Sequence, residues 1–335
     1  MKHVTIKTIA KEMNLSVSAV SKALNNYPDI NDETKDAVVS KAIELGYSPN
    51  MIARNLVKNS SNSIGVVVRD SATIYGEILK PLSEAALNNN YTIVMGDSNR
   101  SREREMSHVR AMVESRVTGL VVAPVDTDVE EIERAVSGRF PIVYLGGHVS
   151  DPKKNYVAVD CDNGVVQAVD YLYSLGPRSI ALVADAKTTA STKTKLFAFK
   201  REMLKRSLEP NIFIDRIDDG NLVRAGKALF DQIKASEKKF TAIFAVKDML
   251  AAGVMQALKD NNISCPEDIS VLGYDGAEVS SFPLINLTTI AQPKVEMARH
   301  ILDIILSHQD PNRPQGAKHY FLTPKLIERN SCKRI

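Results

Sequence analysis

Four polar residues in this chain stand where short apolar runs end. Arg69 and Asp70 follow Ile64–Val68, Asp248 comes soon after Ala242–Val246, and Asp275 follows Ser270–Gly273. In an open α/β sheet, ligands sit at the carboxyl ends of the strands, so this placement puts all four at a binding crevice. The chemistry they suit is recognition. Carboxylates accept from hydroxyls and a guanidinium donates in a fixed fork, so together they fit a polyhydroxyl ligand. For any single one, an N-cap or a loop ion pair competes as the explanation, and at Asp248, which opens a helix, the two weigh about equally.

Catalysis has no comparable constellation. No G-x-G-x-x-G follows a strand, and G-x-x-x-x-G-K-[ST], G-x-S-x-G and H-E-x-x-H are all absent. The six histidines are scattered, and Cys161, Cys265 and Cys332 lack paired spacing. No enzyme activity, cofactor, disulfide set or metal site is expected.

A second group of residues lies near the start. Ile6, Ile9, Ala10 and Met13 recur at i, i+3, i+4 and i+7 behind the capping residue Thr5, which predicts a short amphipathic helix. Asn14 and Leu15 form the turn, and Ser16 caps a second helix whose inner face is Val20, Ala23 and Leu24. Its outer face carries Val17, Ser18, Ser21 and Lys22, which are small or polar enough to approach base edges and phosphates. Asn31 caps a third helix with Thr34, Ala37, Val38, Ala42 and Leu45 as its buried stripe, closed by Gly46. So small a core is of use chiefly as a mount for a recognition helix. Residues 1–28 carry Lys2, Lys7, Lys11 and Lys22 against Glu12, a local +3 that equals the excess of the whole chain. That is a mild phosphate-facing bias.

The rest of the chain must position the first group. At 335 residues with 44% hydrophobic and 25% charged content, it is long enough for the helical headpiece plus two further lobes. Lys58–Ser63 is a polar linker, and beyond it Val/Ile-rich strands alternate with helices from Ile64 to Gly273. That rhythm predicts parallel sheets covered on both faces, with too many strands for one sheet. Two doubly wound α/β lobes with a cleft between them are expected. No apolar run approaches a membrane span and no signal-peptide core opens the chain, so a cytoplasmic location without membrane contact is expected.

Val4-Thr5-Ile6, Ile9-Ala10, Leu15-Ser16, Val20 to Asn25, Gly46-Tyr47, Pro49-Asn50, Ala53 and Leu56 resemble the headpiece and hinge of the lactose/galactose repressor (LacI/GalR) family. The likeness continues through Tyr171-Leu172, Ile180-Ala181-Leu182, Asp248 to Gly253, Asp268 to Asp275 and Leu287 to Ile290. It implies a helix-turn-helix headpiece over 1–48, a hinge helix and linker over 49–62, and a periplasmic-binding-protein-like core over 63–335. Lobe one is expected at about 63–160 and 292–319, and lobe two at about 161–291 and 320–335.

The resemblance also implies function. A homodimeric repressor would read a near-palindromic operator in double-stranded DNA under control of a sugar-related effector. Positions 17, 18 and 22 would face the major groove, and Leu56 would wedge into the minor groove. Thr5, Ser16, Ser21 and Asn25 of the headpiece, with Asn50 and Ala53 of the hinge, complete the expected contacts. A two-lobed solute-binding protein or an α/β enzyme without a DNA role is the alternative.

The chain departs from the family around the effector. Lys193 stands where sugar-binding members carry arginine, Lys247-Asp248 replaces an Asn-Asp pair, and Gly146-Gly147-His148 lacks a common acidic residue. Tyr75, Asp162 and Gln292 complete the expected pocket set. The added cationic character favours an anionic sugar derivative, unless both lysines merely neutralise Asp248 and its neighbours.

Overall fold

The computed structural model describes residues 4–25, 27–47, 61–146, 151–185, 189–216, 220–310, 312 and 316–335. The chain divides into two compact units, Met1–Ser61 and Asn62–Ile335. Among the described residues of the first are helices α1 (Ile6–Glu12), α2 (Val17–Leu24) and α3 (Asp32–Glu44). Their core is small: Ile9, Ala10, Val20, Ala23, Val38 and Ala42 are buried, and Ile6, Met13, Leu15, Leu24 and Leu45 pack against them. Asn14 adopts φ 53°, the left-handed turn conformation that asparagine tolerates, and so aims α2 away from α1. Ala37, expected in the buried stripe of α3, is exposed, because the inward face runs through Val38 and Ala42.

The second unit holds two six-stranded sheets. The first contains β1 (Ser63–Val68), β2 (Thr92–Asp97), β3 (Gly119–Val122), β4 (Ile142–Leu145), β5 (Asn155–Val159) and β11 (His319–Leu322), in the order β11-β5-β4-β3-β1-β2 and all parallel. Helices α4 (Ile74–Asn88) and α11 (Lys294–Ser307) cover one face, and α5 (Arg102–Glu114) and α6 (Glu130–Val136) cover the other. The second sheet runs β12-β10-β9-β8-β6-β7. It comprises β6 (Ile180–Ala184), β7 (Asn211–Ile214), β8 (Ala242–Ala245), β9 (Ser270–Asp275), β10 (Thr288–Ala291) and β12 (Lys325–Ile327), with only β12 antiparallel. Its helices are α7 (Cys161–Ser174), α8 (Ala190–Lys205), α9 (Leu222–Ala235) and α10 (Asp248–Asp260).

The chain crosses between the sheets three times, from β5 to α7, from β10 to α11 and from β11 to β12. The expected lobe boundary at 319/320 falls inside β11, which pairs with β5 throughout and belongs wholly to the first sheet. No described helix is long and apolar enough to cross a membrane.

Candidate functional site

In the headpiece, the Oγ of Ser16 accepts from the Ala19 N–H at 3.0 Å and caps α2, leaving its own proton free to donate. Burial of Val20 and Ala23 turns Ser16, Val17 and Ser18 outward, with Ser21 and Lys22 half-exposed beside them. Val17 keeps 46% of its surface. At the other end of α2, Asn25 Nδ2 donates to the Ser21 carbonyl at 2.7 Å. The Thr5 N–H donates to Thr8 Oγ1 at 3.2 Å at the exposed start of α1. The Lys22 ammonium is paired with Asp29, in the α2–α3 connection, and this bond raises the lysine's pKa and lowers the aspartate's. Asn50, Ala53 and Leu56 lie outside the described residues.

In the second unit, a cavity of about 370 Å³ opens at the carboxyl ends of both sheets. Six of the expected residues line it: Arg69, Asp70, Tyr75, Lys247, Asp275 and Gln292. The Arg69 guanidinium donates to the Tyr75 hydroxyl, and Arg100 Nη2 donates to Asp70 Oδ2 at 3.0 Å. Across the cavity, Lys247 Nζ donates to Asp185 Oδ2 at 2.8 Å. The other oxygen of Asp185 is buried and has no hydrogen-bond partner among the described residues. Gln292 Nε2 donates to Asp275 Oδ1 at 2.8 Å, and Lys195 Nζ lies 3.9 Å from the same oxygen. Asp275 also holds φ at 114°, a strained value of the kind found at ligand sites. Burial pushes its carboxyl pKa up, against the pull of Lys195 and Lys247.

Three expected pocket residues are elsewhere. Lys193 is exposed on α8 and does not line the cavity, because the inward stripe of that helix is Thr192, Lys195, Ala198 and Phe199. Lys195 is the cation that reaches in. Its Nζ donates to the Val246 carbonyl at 2.9 Å and sits 3.4 Å from the Tyr274 ring centroid. Asp162 projects from the first turn of α7 into a two-pronged bond with Arg201, 2.7 Å at each prong. Asp248 is wholly buried beneath the site. Thr289 Oγ1 lies 2.6 Å from its Oδ1, and the Ala277 N–H donates to its Oδ2 at 2.6 Å. Gly273 makes room for it, since a Cβ there would stand 2.2 Å from Oδ1. Burial first, then the neighbouring Asp275 charge, pushes the Asp248 carboxyl up to about 8. It is a structural tie between α10 and the β9–β10 connection. Gly147 lies outside the described residues.

Sequence reasoning missed Arg100, Asp185 and Lys195. Asp185 directly follows β6, so the strand-end rule that found Arg69 would have found it. Arg100 lies three residues beyond the end of β2 at Asp97, in a connection to α5 that no strand-end rule singles out. Lys195 needed only the 3.6-residue period counted from the start of α8.

Residues 5–50 match the bacterial regulatory proteins of the lacI family, and residues 169–332 match the periplasmic binding protein-like domain. The chain is 27% identical over 335 residues to the HTH-type transcriptional repressor PurR of Vibrio parahaemolyticus, with 99% of both chains covered. It is 29% identical over 344 residues to the repressor of the same name from Haemophilus influenzae, again with 99% of each covered. The crystal structure of the lac repressor dimer bound to operator and the anti-inducer ONPF superposes with a TM-score of 0.87 at 25% identity, over 99% of this chain and 100% of that one. These likenesses join headpiece and core in one order along the full length, and the relatives are repressors rather than enzymes. The chain therefore belongs to the LacI family of bacterial regulatory proteins, as a transcriptional repressor of the LacI/PurR type.

Proposed function

We propose that the chain binds a near-palindromic operator as a homodimer in the cytoplasm, and that a small polar effector in the 370 Å³ cavity sets its grip on DNA. The headpiece reads base edges with the Val17, Ser18 and Lys22 face, and Leu56 of the hinge, over 49–62, wedges into the central base step. The observation that carries the effector reading is the buried Oδ1 of Asp185 on the cavity wall, which has no hydrogen-bond partner among the described residues. Such an acceptor is costly to leave empty, and a hydroxyl of a bound ligand fills it.

Among the described lining residues, Arg69, Arg100, Lys195 and Lys247 outnumber the carboxylates Asp70, Asp185 and Asp275, which supports a sugar that carries an anionic group. The two lysines proposed to meet that anion are therefore Lys195 and Lys247. Lys247 is held by Asp185 rather than by Asp248. The lobes are clasped by Glu77 of α4, which accepts from the Glu278 N–H at 2.9 Å, and by Lys294 Nζ of α11, which donates to the Gly276 carbonyl at 2.6 Å. A few polar bonds of this kind are open to a shift by ligand, provided the ligand binds the two lobe angles unequally.

Calorimetry with one sugar in free and phosphorylated form, repeated by DNA binding at saturating ligand, tests this reading. Tighter binding of the phosphorylated form with a changed operator affinity is expected. Tighter binding of the neutral sugar overturns the anionic class, and unchanged operator affinity overturns the control.

A further inference from the structure

Lys22 is the only charged residue of α2, whose outer face otherwise offers Val17, Ser18 and Ser21. Its ammonium is not free, because Asp29 reaches back from the connection to α3 and pairs with it. The loop that brings Asp29 there is anchored by the Tyr27 N–H, which donates to the Lys22 carbonyl at 3.0 Å. Both partners remain in reach of a ligand, with side chains 43% and 51% exposed. A surface pair of this kind adds little to folding. Its consequence lies in what the helix presents to DNA: a recognition face with no unpaired charge.

An ammonium has three donors, and Asp29 occupies part of that capacity. A guanine edge offers neutral acceptors at O6 and N7, which the remaining donors can meet while the carboxylate stays in place. A phosphate is an anion and must compete with Asp29 for the same charge, at the cost of repulsion between the two. We propose that Asp29 is a specificity-determining residue: it withholds Lys22 from phosphates and leaves it available to base edges. This inference rests on the headpiece being the DNA reader.

The test measures affinity of the full-length chain for two duplexes across a salt series. One duplex is the site selected by the wild-type chain from a random library, and the other has random sequence. The chains are wild type, Asp29→Asn, Lys22→Gln and the double variant. One freed cation–phosphate contact steepens the negative slope of log K against log salt by about 0.9, which amounts to roughly eightfold in affinity at 0.1 M relative to 1 M salt. Asp29→Asn is expected to show that gain on random DNA, with a smaller gain on the selected site, so discrimination falls. The slope gain is expected to vanish in the Lys22→Gln background. An equal gain in both backgrounds makes Asp29 a general repeller of phosphate and overturns the inference, as does no gain in either. A wild-type chain that binds neither duplex at low salt overturns the DNA-binding reading as well, so the two failures are distinct.

Discussion

The headpiece and the cavity use polar residues in opposite ways. Among its described residues the headpiece buries only apolar side chains and leaves the residues proposed to meet DNA in water, whereas the cavity buries its charges against one another. Lys195 and Asp275 keep 5% and 11% of their side-chain surface, while Lys22 and Asp29 keep 43% and 51%. The lesson concerns what each pair is worth. Water screens an exposed pair, and removing one partner costs the fold little. A buried pair has no such refuge, so removing one partner strands the other. Stability and function are therefore separable in the headpiece face and entangled in the cavity wall.

The largest effect expected from this contrast is at Lys195. Lys195→Met leaves Asp275 buried without its nearest cation and removes the bond to Val246, at a cost of about 3–5 kcal/mol to the core. Urea unfolding of the second unit measures it, and a loss under 1 kcal/mol would show that the pair is not buried in solution. Next is Ile9→Ala. Ile9 is fully buried in a core that holds six buried apolar residues among those described, so a loss of about 2–4 kcal/mol removes much of the headpiece's stability. DNA binding disappears while ligand binding in the core persists, which gel retardation and calorimetry on the same sample compare.

The effect of a single pH unit is smaller. Because the folded carboxyl of Asp248 is raised from 3.8 to about 8, the folded state holds a proton that the unfolded chain has released between those values. That stabilising contribution is complete below pH 3.8 and is lost as pH rises towards 8, at up to about 1.4 kcal/mol per pH unit. Asp248→Asn keeps an acceptor for the Ala277 N–H and offers Nδ2 to Thr289, so it should flatten this slope without unfolding the core. An unchanged slope would assign the pH dependence to other groups. The smallest effect is at Lys193, where replacement by methionine should change core stability by less than about 0.5 kcal/mol and leave ligand binding intact, because the side chain is exposed.

The same contrast explains what was legible in the sequence. The headpiece face follows from helix geometry alone, since Val20 and Ala23 turn inward and Val17, Ser18 and Lys22 turn outward without reference to any distant residue. The alternation of strands and helices was equally plain, because each buried parallel strand is a continuous apolar run. The cavity depends on parts far apart in the chain, and there small errors of register matter. Lys193 and Lys195 differ by two residues yet face opposite ways on α8, and Asp248 comes just after a strand while Asp275 ends one, although only Asp248 is roofed over by Thr289 and Ala277. Strand β11, alone between α11 and the crossing to β12, is too short and too polar at His319 to announce its sheet.

The claim on which the rest depends is that the helical headpiece makes this chain a sequence-specific DNA reader. Selection from a random double-stranded library, run in parallel with the full chain and with residues 62–335, tests it most directly. The account predicts that the full chain enriches a site with twofold symmetry and that residues 62–335 enrich nothing. Equal enrichment by both, or no enrichment by the full chain, would contradict it.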